Sequence, residues 1–291
     1  ATAPRIAVTR PTPLRLALVA CLCVFAAAAS AVAGPVASPE ERFRWAGEQF
    51  YYSIEMLDTE TARCAISVSP RQVDENGVPF VMLDGLAVSV GFFANVYPME
   101  DTALTRMNIR TGLPFETTKL LDERNVVRQY DVAYTGSAFR ADITRTADGQ
   151  VRRNSRMVPS DTHDAMTWML DLRSQDLGVG EAYVYHVFDG WKLSRLTARV
   201  TQHTDVFSPT LGLLRVAEMT FTREVLLSAH PLPYANDLVP LPPVYMVSEG
   251  PQELGIGWFT TDDRRLPVGV EIDTPIGHLR MMIDRWVPPT E

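Results

Sequence analysis

The sequence predicts a mainly β protein: a single curved antiparallel sheet or partly closed barrel with one packed helix, behind a cleaved amino-terminal signal peptide. Three observations carry that expectation. Apolar residues recur with a period of two along most of the chain, the pattern of strands with one buried face. Asn76-Gly77, Asp148-Gly149 and Asp189-Gly190 each sit between such runs, and these pairs tolerate the positive φ that tight hairpins need. One stretch after Asp161 alone switches to helical spacing.

The leader comes first in the chain. Arg5, Arg10 and Arg15 are basic, Leu16 to Ala29 is apolar or small throughout, and Ala29-Ser30-Ala31 and Ala31-Val32-Ala33 offer small-x-small cleavage sites. This is the layout of a secretory signal. The apolar run is shorter than the ~20 residues a spanning helix needs. Leu18-Val19-Ala20-Cys21 fits a lipobox, but the residues after Cys21 stay apolar where a lipoprotein would carry a polar tether. The expected division is a signal peptide over 1–33, a linker over 34–45 and one β-rich domain over 46–287. The expected location is the periplasm or the exterior, in association with the cell envelope, with no membrane span in the mature chain.

The strands follow in order. Phe50, Tyr52, Ile54 and Met56 share one face, and Ala62, Cys64, Ile66 and Val68 repeat the pattern. Phe80 to Phe93 is apolar on both faces, with Gly85 and Gly91 as bends. Val126–Val132, Ala138–Thr144 and Val151–Val158 are shorter. Asp161 or Thr162 caps the helix, Asp164 lies in its first turn, and Ala165, Met169 and Leu172 form its apolar stripe beside Trp168. Tyr183, Tyr185 and Val187 then face one way, with Val184, His186 and Phe188 opposite. Leu193–Val200, Leu213–Leu227, Gly257–Thr260, Val268–Ile272 and Leu279–Ile283 complete the set. Residues 229–251 are proline-rich and read as a long extended loop within the domain.

Composition excludes some function classes. Removing the leader takes three arginines and no acid, which leaves 24 basic and 35 acidic residues and a net charge of −11. Nucleic acid is a poor partner for such a surface. Cys21 and Cys23 leave with the leader, so Cys64 cannot form an internal disulfide and is expected to pack as a small hydrophobe.

The segment Trp258-Phe259-Thr260-Thr261-Asp262-Asp263-Arg264-Arg265-Leu266-Pro267-Val268 resembles the carboxy-terminal signature of a bacterial envelope family known as domain of unknown function 3108. Its distinctive part is the block Asp262, Asp263, Arg264, Arg265, Leu266, Pro267. Gly47-Glu48, Val96-Tyr97-Pro98, Thr111-Gly112-Leu113-Pro114, Thr162-His163-Asp164, Leu172-Arg173 and Leu177-Gly178-Val179-Gly180 occur in the order of that family. The resemblance covers roughly Gly47 to Ile283. It implies an exported, β-rich protein and supplies no catalytic residues.

Two polar clusters invite chemistry. Asp262 and Asp263 could bind a cation, and Arg264 and Arg265 could grip a carboxylate or phosphate. Adjacent strand residues point to opposite faces, however, so the two acids would not converge on one ion, and a polar hairpin turn is the plainer expectation. His163 with Asp161 and Asp164 offers too few ligands for zinc or a hard cation. No nucleophile elbow, zincin helix, phosphate loop or dinucleotide fingerprint occurs. The chain is therefore expected to be a non-enzymatic binding protein for a lipid-like or lipid-linked ligand, without cofactor or metal. Tyr52, Phe92, Tyr97, Trp168, Tyr185 and Trp258 are the candidate ligand-facing aromatics. The alternatives are a scaffold that docks an envelope protein through a sheet edge or the proline-rich loop, and a hydrolase of envelope polymers.

Overall fold

The computed structural model describes residues 44–124, 126–138, 140–228, 244–274 and 277–289. The leader, Cys21, Cys23 and residues 229–243 of the proline-rich segment lie outside them. No helix among the described residues is long and apolar enough to cross a membrane.

Sixteen strands form one sheet. They are β1 (Gln49–Met56), β2 (Thr59–Val68), β3 (Gln72–Val73), β4 (Pro79–Ser89), β5 (Met99–Asn108), β6 (Pro114–Glu123), β7 (Val126–Thr135), β8 (Arg140–Ala147), β9 (Gln150–Met157), β10 (Thr162–His163), β11 (Ala182–Phe188), β12 (Leu193–Ser208), β13 (Gly212–Ser228), β14 (Tyr245–Thr260), β15 (Pro267–Thr274) and β16 (Gly277–Val287). Two six-residue helices accompany them, α1 (Gly91–Val96) and α2 (Thr167–Leu172). The sheet runs β10-β11-β12-β13-β14-β15-β16-β1-β2-β4-β5-β6-β7-β8-β9, with β3 attached to β4. Every pair is antiparallel except β10–β11. The first and last strands of the sequence, β1 and β16, thus meet in the middle of the sheet and pair from Gln49↔Val287 to Met56↔Leu279.

The alternation in β1 has the expected outcome: Phe50, Tyr52, Ile54 and Met56 are buried. The predicted hairpin at Asp148-Gly149 forms, with both residues at positive φ (52° and 70°). The long strands β12 to β14 bend at register shifts, including those at Val200/Gln202 and Phe221/Thr222. Such bulges kink a strand and let a sheet curl. On β15, Gly269 permits close approach to β16, because a Cβ at that position would stand 2.2 Å from the Met281 carbonyl oxygen.

The curled sheet encloses α2. Trp168, Met169 and Leu172 pack against Tyr183, Tyr185, Leu196, Ala198, Met219 and Phe221, while Met166 and Leu170 join the larger cluster built on β1, β2, β4, β5 and β14–β16. The two ends of the sheet do not hydrogen-bond into a barrel. Side chains bridge them instead: Val132, Ala141, Ile143 and Val158 meet Phe188, Leu193 and Leu226. The Lys119 ammonium donates to the Asp189 carbonyl at 2.6 Å and the Tyr134 hydroxyl to the Phe188 carbonyl at 3.2 Å.

Four details depart from the sequence expectation. The apolar run from Phe80 stops as a strand at Ser89. Gly91 takes a positive φ of 57° and starts α1, which places Phe92 and Phe93 on a helix. The helix after Asp161 is shorter than its periodicity suggested: Thr162 and His163 are drawn into β10 beside His186 and Val187, and helical geometry begins only at Thr167. Residues 245–251, expected in the loop, belong to β14 and pair with β13; Pro251 is accommodated where the register skips between Gln252 and Glu249, the kind of irregularity that admits a proline. Finally, β5 and β6 form where no strand was read.

Candidate functional site

Five of the six candidate aromatics are buried, and they do not converge on one space. Tyr52 donates its hydroxyl to the Pro267 carbonyl at 2.9 Å. Tyr97 follows α1 and packs in the large cluster. Trp168 donates to the Ala165 carbonyl at 3.1 Å and lies 6.0 Å from the Tyr185 ring. Trp258 donates to Glu218 at 3.2 Å. Phe92 stands apart, 79% exposed on α1. The space among Tyr52, Cys64, Met166, Met169, Phe221 and Phe259 is an apolar cavity of only about 30 Å³. That is room for a water molecule or two and not for an acyl chain. Burial pushes the Cys64 thiol there up to about 12, so the sulfur stays a protonated packing group.

The motif residues assemble a structural clamp. Arg173, at the end of α2, is fully buried and donates to Glu48 at 2.6 Å. Its Nε and Nη2 donate to the carbonyls of Arg265 and Arg264, each at 2.9 Å. The guanidinium carbon lies 4.4 Å from the Trp45 ring centroid, and Trp286 donates to the other Glu48 oxygen at 3.3 Å. Burial raises the Glu48 pKa, and the charge and hydrogen bonds of Arg173 offset that only in part. The arrangement ties the plug helix to the start of β1 and to the β14–β15 turn.

That turn is the polar hairpin expected from its residues. Asp262 accepts from the Arg264 side chain at 2.8 Å, from its backbone N–H at 3.1 Å and from the Thr260 hydroxyl at 2.8 Å. Burial alone would raise the Asp262 pKa, but these bonds outweigh it and hold the carboxyl below its usual range. Leu266 is buried and Pro267 begins β15.

His163, Asp161 and Asp164 separate. Asp161 pairs with His186 at 3.0 Å on the outside. Asp164 points inward, accepting from Thr105, from Thr117 at 3.0 Å, and from the backbone N–H groups of Met166 and Thr167 at 3.1 and 2.8 Å. It therefore caps the turn into α2. His163 bonds to the Thr167 hydroxyl at 3.2 Å and meets the Tyr185 ring edge-on. No group of three or more His, Cys, Asp or Glu side chains among the described residues is arranged to hold a metal.

The larger space lies at one end of the sheet, where three separate connections meet: β5–β6, β7–β8 and β9–β10. It is a cleft of about 370 Å³. Leu113, Pro114, Phe115, Tyr134, Val158 and Pro159 give it apolar walls, and Asn108, Thr111, Ser137, Arg140, Ser160 and Thr162 supply polar groups. Its volume falls in the range of small-molecule pockets, at the small end. Arg140 holds Asp142 at 2.7 Å and is about one-third exposed. Burial raises the Tyr134 pKa well above its ordinary value, so this phenol serves as a donor. None of these lining residues was singled out from the sequence except within the Thr111-Gly112-Leu113-Pro114 and Thr162-His163-Asp164 fragments.

The family model for proteins of unknown function DUF3108 matches residues 49–284. The chain belongs to this family. A search of the curated proteins finds no match. Among solved structures, a crystal structure of a β-barrel-like protein of domain of unknown function DUF1849, from Brucella abortus, is similar at 8% sequence identity. The match covers 85% of this chain and 100% of that one, with a TM-score of 0.49. The clamp joins Gly47-Glu48, Leu172-Arg173 and Asp262-Asp263-Arg264-Arg265, three of the fragments on which the family resemblance rests, and it explains them as structure.

Proposed function

We propose that this protein works outside the cytoplasm, in the cell envelope, as a non-catalytic binding protein for a small lipid-like amphiphile. The observation that carries this reading is the lining of the 370 Å³ cleft. Phe115, Leu113 and Val158 offer an apolar wall to a hydrocarbon segment. The hydroxyls of Thr111, Ser137 and Ser160, with Arg140 at the margin, offer bonds to a polar or anionic head. The signal-like leader supports the location. The cleft suits one short or single-chain ligand, and it replaces the aromatic interior as the expected binding place, because α2 fills that interior.

Displacement of a fluorescent fatty acid, joined to native mass spectrometry of protein purified from its own periplasm, tests the reading. Wild-type protein should retain or bind a lipid. Ser160→Trp, which inserts a ring at an exposed margin of the cleft, should weaken binding at least tenfold with an unchanged melting temperature. Phe115→Ser should weaken it less. A wild-type protein with neither retained lipid nor displacement would refute the proposal.

A further inference from the structure

The sheet has two free edges of very different character. One is β10, two buried residues long. The other is β9, Gln150–Met157, exposed along nearly its whole length. No described strand covers its outer side, and its register with β8 runs from Arg140↔Met157 to Ala147↔Gln150 without a bulge. Proteins ordinarily blunt such an edge with a bulge, a proline, a short strand or charged side chains; β9 has only the last, its three arginines.

The hairpin fixes which backbone groups point outward. Ala147 and Gln150 flank a two-residue loop and bond to each other. The N–H groups of Gln150, Arg152, Asn154 and Arg156 therefore face β8, and those of Val151, Arg153, Ser155 and Met157 face away. Consistent with this, the Ser155 N–H bonds to the Asn154 side chain at 2.8 Å and not to β8.

The side chains select a partner. Arg152, Arg153 and Arg156 have no ion-pair partner among the described residues, in a chain whose net charge is −8. Arg152 lies directly opposite Arg145, a like-charge pairing that costs stability. Arg145 turns to Tyr130, donating to its hydroxyl at 3.2 Å with the guanidinium carbon 5.7 Å from the ring centroid. A second copy of this edge would set arginine against arginine.

We propose that β9 is a docking edge for an extended acidic segment of a partner protein, which adds to the sheet as a further strand. Its backbone would bond to the outward N–H and carbonyl groups of Val151 and Arg153 and to the Ser155 carbonyl, the Ser155 N–H being held by Asn154. Its carboxylates would meet Arg152 and Arg156 on one face and Arg153 on the other. This site is separate from the cleft and does not depend on it.

The test uses a fluorescein-labelled decapeptide of alternating glutamate and threonine, with fluorescence polarisation as readout and the purified protein as receptor. Two comparison peptides carry lysine for glutamate, or N-methyl groups on every residue. The glutamate peptide should bind and should slow amide exchange at Val151 and Arg153, and both comparison peptides should fail. Combined Arg152→Gln, Arg153→Gln and Arg156→Gln should weaken binding at least tenfold. Val151→Pro, which keeps the arginines and removes one outward N–H, should do the same. Neither variant should lower the melting temperature or change fatty-acid displacement. Absence of binding would overturn the proposal. So would equal binding of the N-methylated peptide or undiminished binding to Val151→Pro, since either would reveal a diffuse anion-attracting surface whose arginines serve only to keep the edge single.

Discussion

The half of the sheet around α2 and the half running from β5 to β9 are built from the same kind of strand and do different work. In the first, inward positions are apolar and sealed: Phe50 and Ile54 on β1, Leu196 and Ala198 on β12 and Val268 on β15 are all fully buried. In the second, inward positions carry Asp101, Thr105, Thr117, Lys119, Glu123, Arg128 and Tyr130, interspersed on β5 with Met99, Ala103 and Met107, and the edge strand β9 is exposed almost throughout. A small cluster around Val132 and Phe188 fastens the second half to the first. The comparison teaches that folding free energy is concentrated on one side, while the cleft and the open edge lie on the other. A surface that need not supply the core is free to keep polar and charged groups at the boundary with solvent.

Breaking the clamp should have the largest effect. Arg173→Met leaves the Glu48 carboxylate buried without its partner, and it should lower stability by about 3–5 kcal/mol. Thermal melting would show this, and pairing the change with Glu48→Leu should restore much of the loss. Trp168→Ala, which empties the centre of the plug, should cost about 3–5 kcal/mol. Removing a comparable ring from the other half, by Tyr130→Ala, should cost only about 1 kcal/mol. Equal losses in those last two variants would erase the distinction between the halves.

Asp101 sharpens the comparison through pH. Burial pushes its carboxyl up to about 7, against a smaller opposing pull from the Asp122 backbone N–H and from Arg128. The ordinary value in an unfolded chain is about 3.9. The folded state therefore holds this proton more tightly, and Asp101's contribution is complete below about pH 4 and lost as pH rises through about 7. Asp101→Asn removes that loss. Relative to wild type, the variant should gain on the order of 2 kcal/mol between pH 5 and pH 8, measured by urea unfolding at each pH. A constant difference across the range would contradict the assignment. The smallest effect belongs to the surface turn: Asp262→Ala should cost about 0.5–1 kcal/mol, since its bonds to Arg264 are half in solvent.

The same division decides what could be read in the sequence. β1 and β2 were legible because one face of each is apolar and the other is not. β5 and β6 were not, because Asp101, Thr105, Thr117 and Lys119 occupy inward positions and disguise the period of two. The Asp262–Arg265 turn was legible from its own residues. That Arg173 would bond to its carbonyls was not, because the meeting depends on where a helix some 90 residues earlier is seated. The cleft left no local signal at all. Its walls come from three connections that only the curl of the sheet brings together, and Phe115 and Val158 look in sequence like ordinary strand residues.

The central claim is that an amphiphile is held in the cleft and not beneath the plug. A crystal structure of the protein soaked with a medium-chain fatty acid tests it most directly. The account predicts ligand density bounded by Phe115, Tyr134 and Val158, with α2 unmoved. Density between α2 and the strands bearing Tyr52 and Phe259, with the helix displaced, would contradict it.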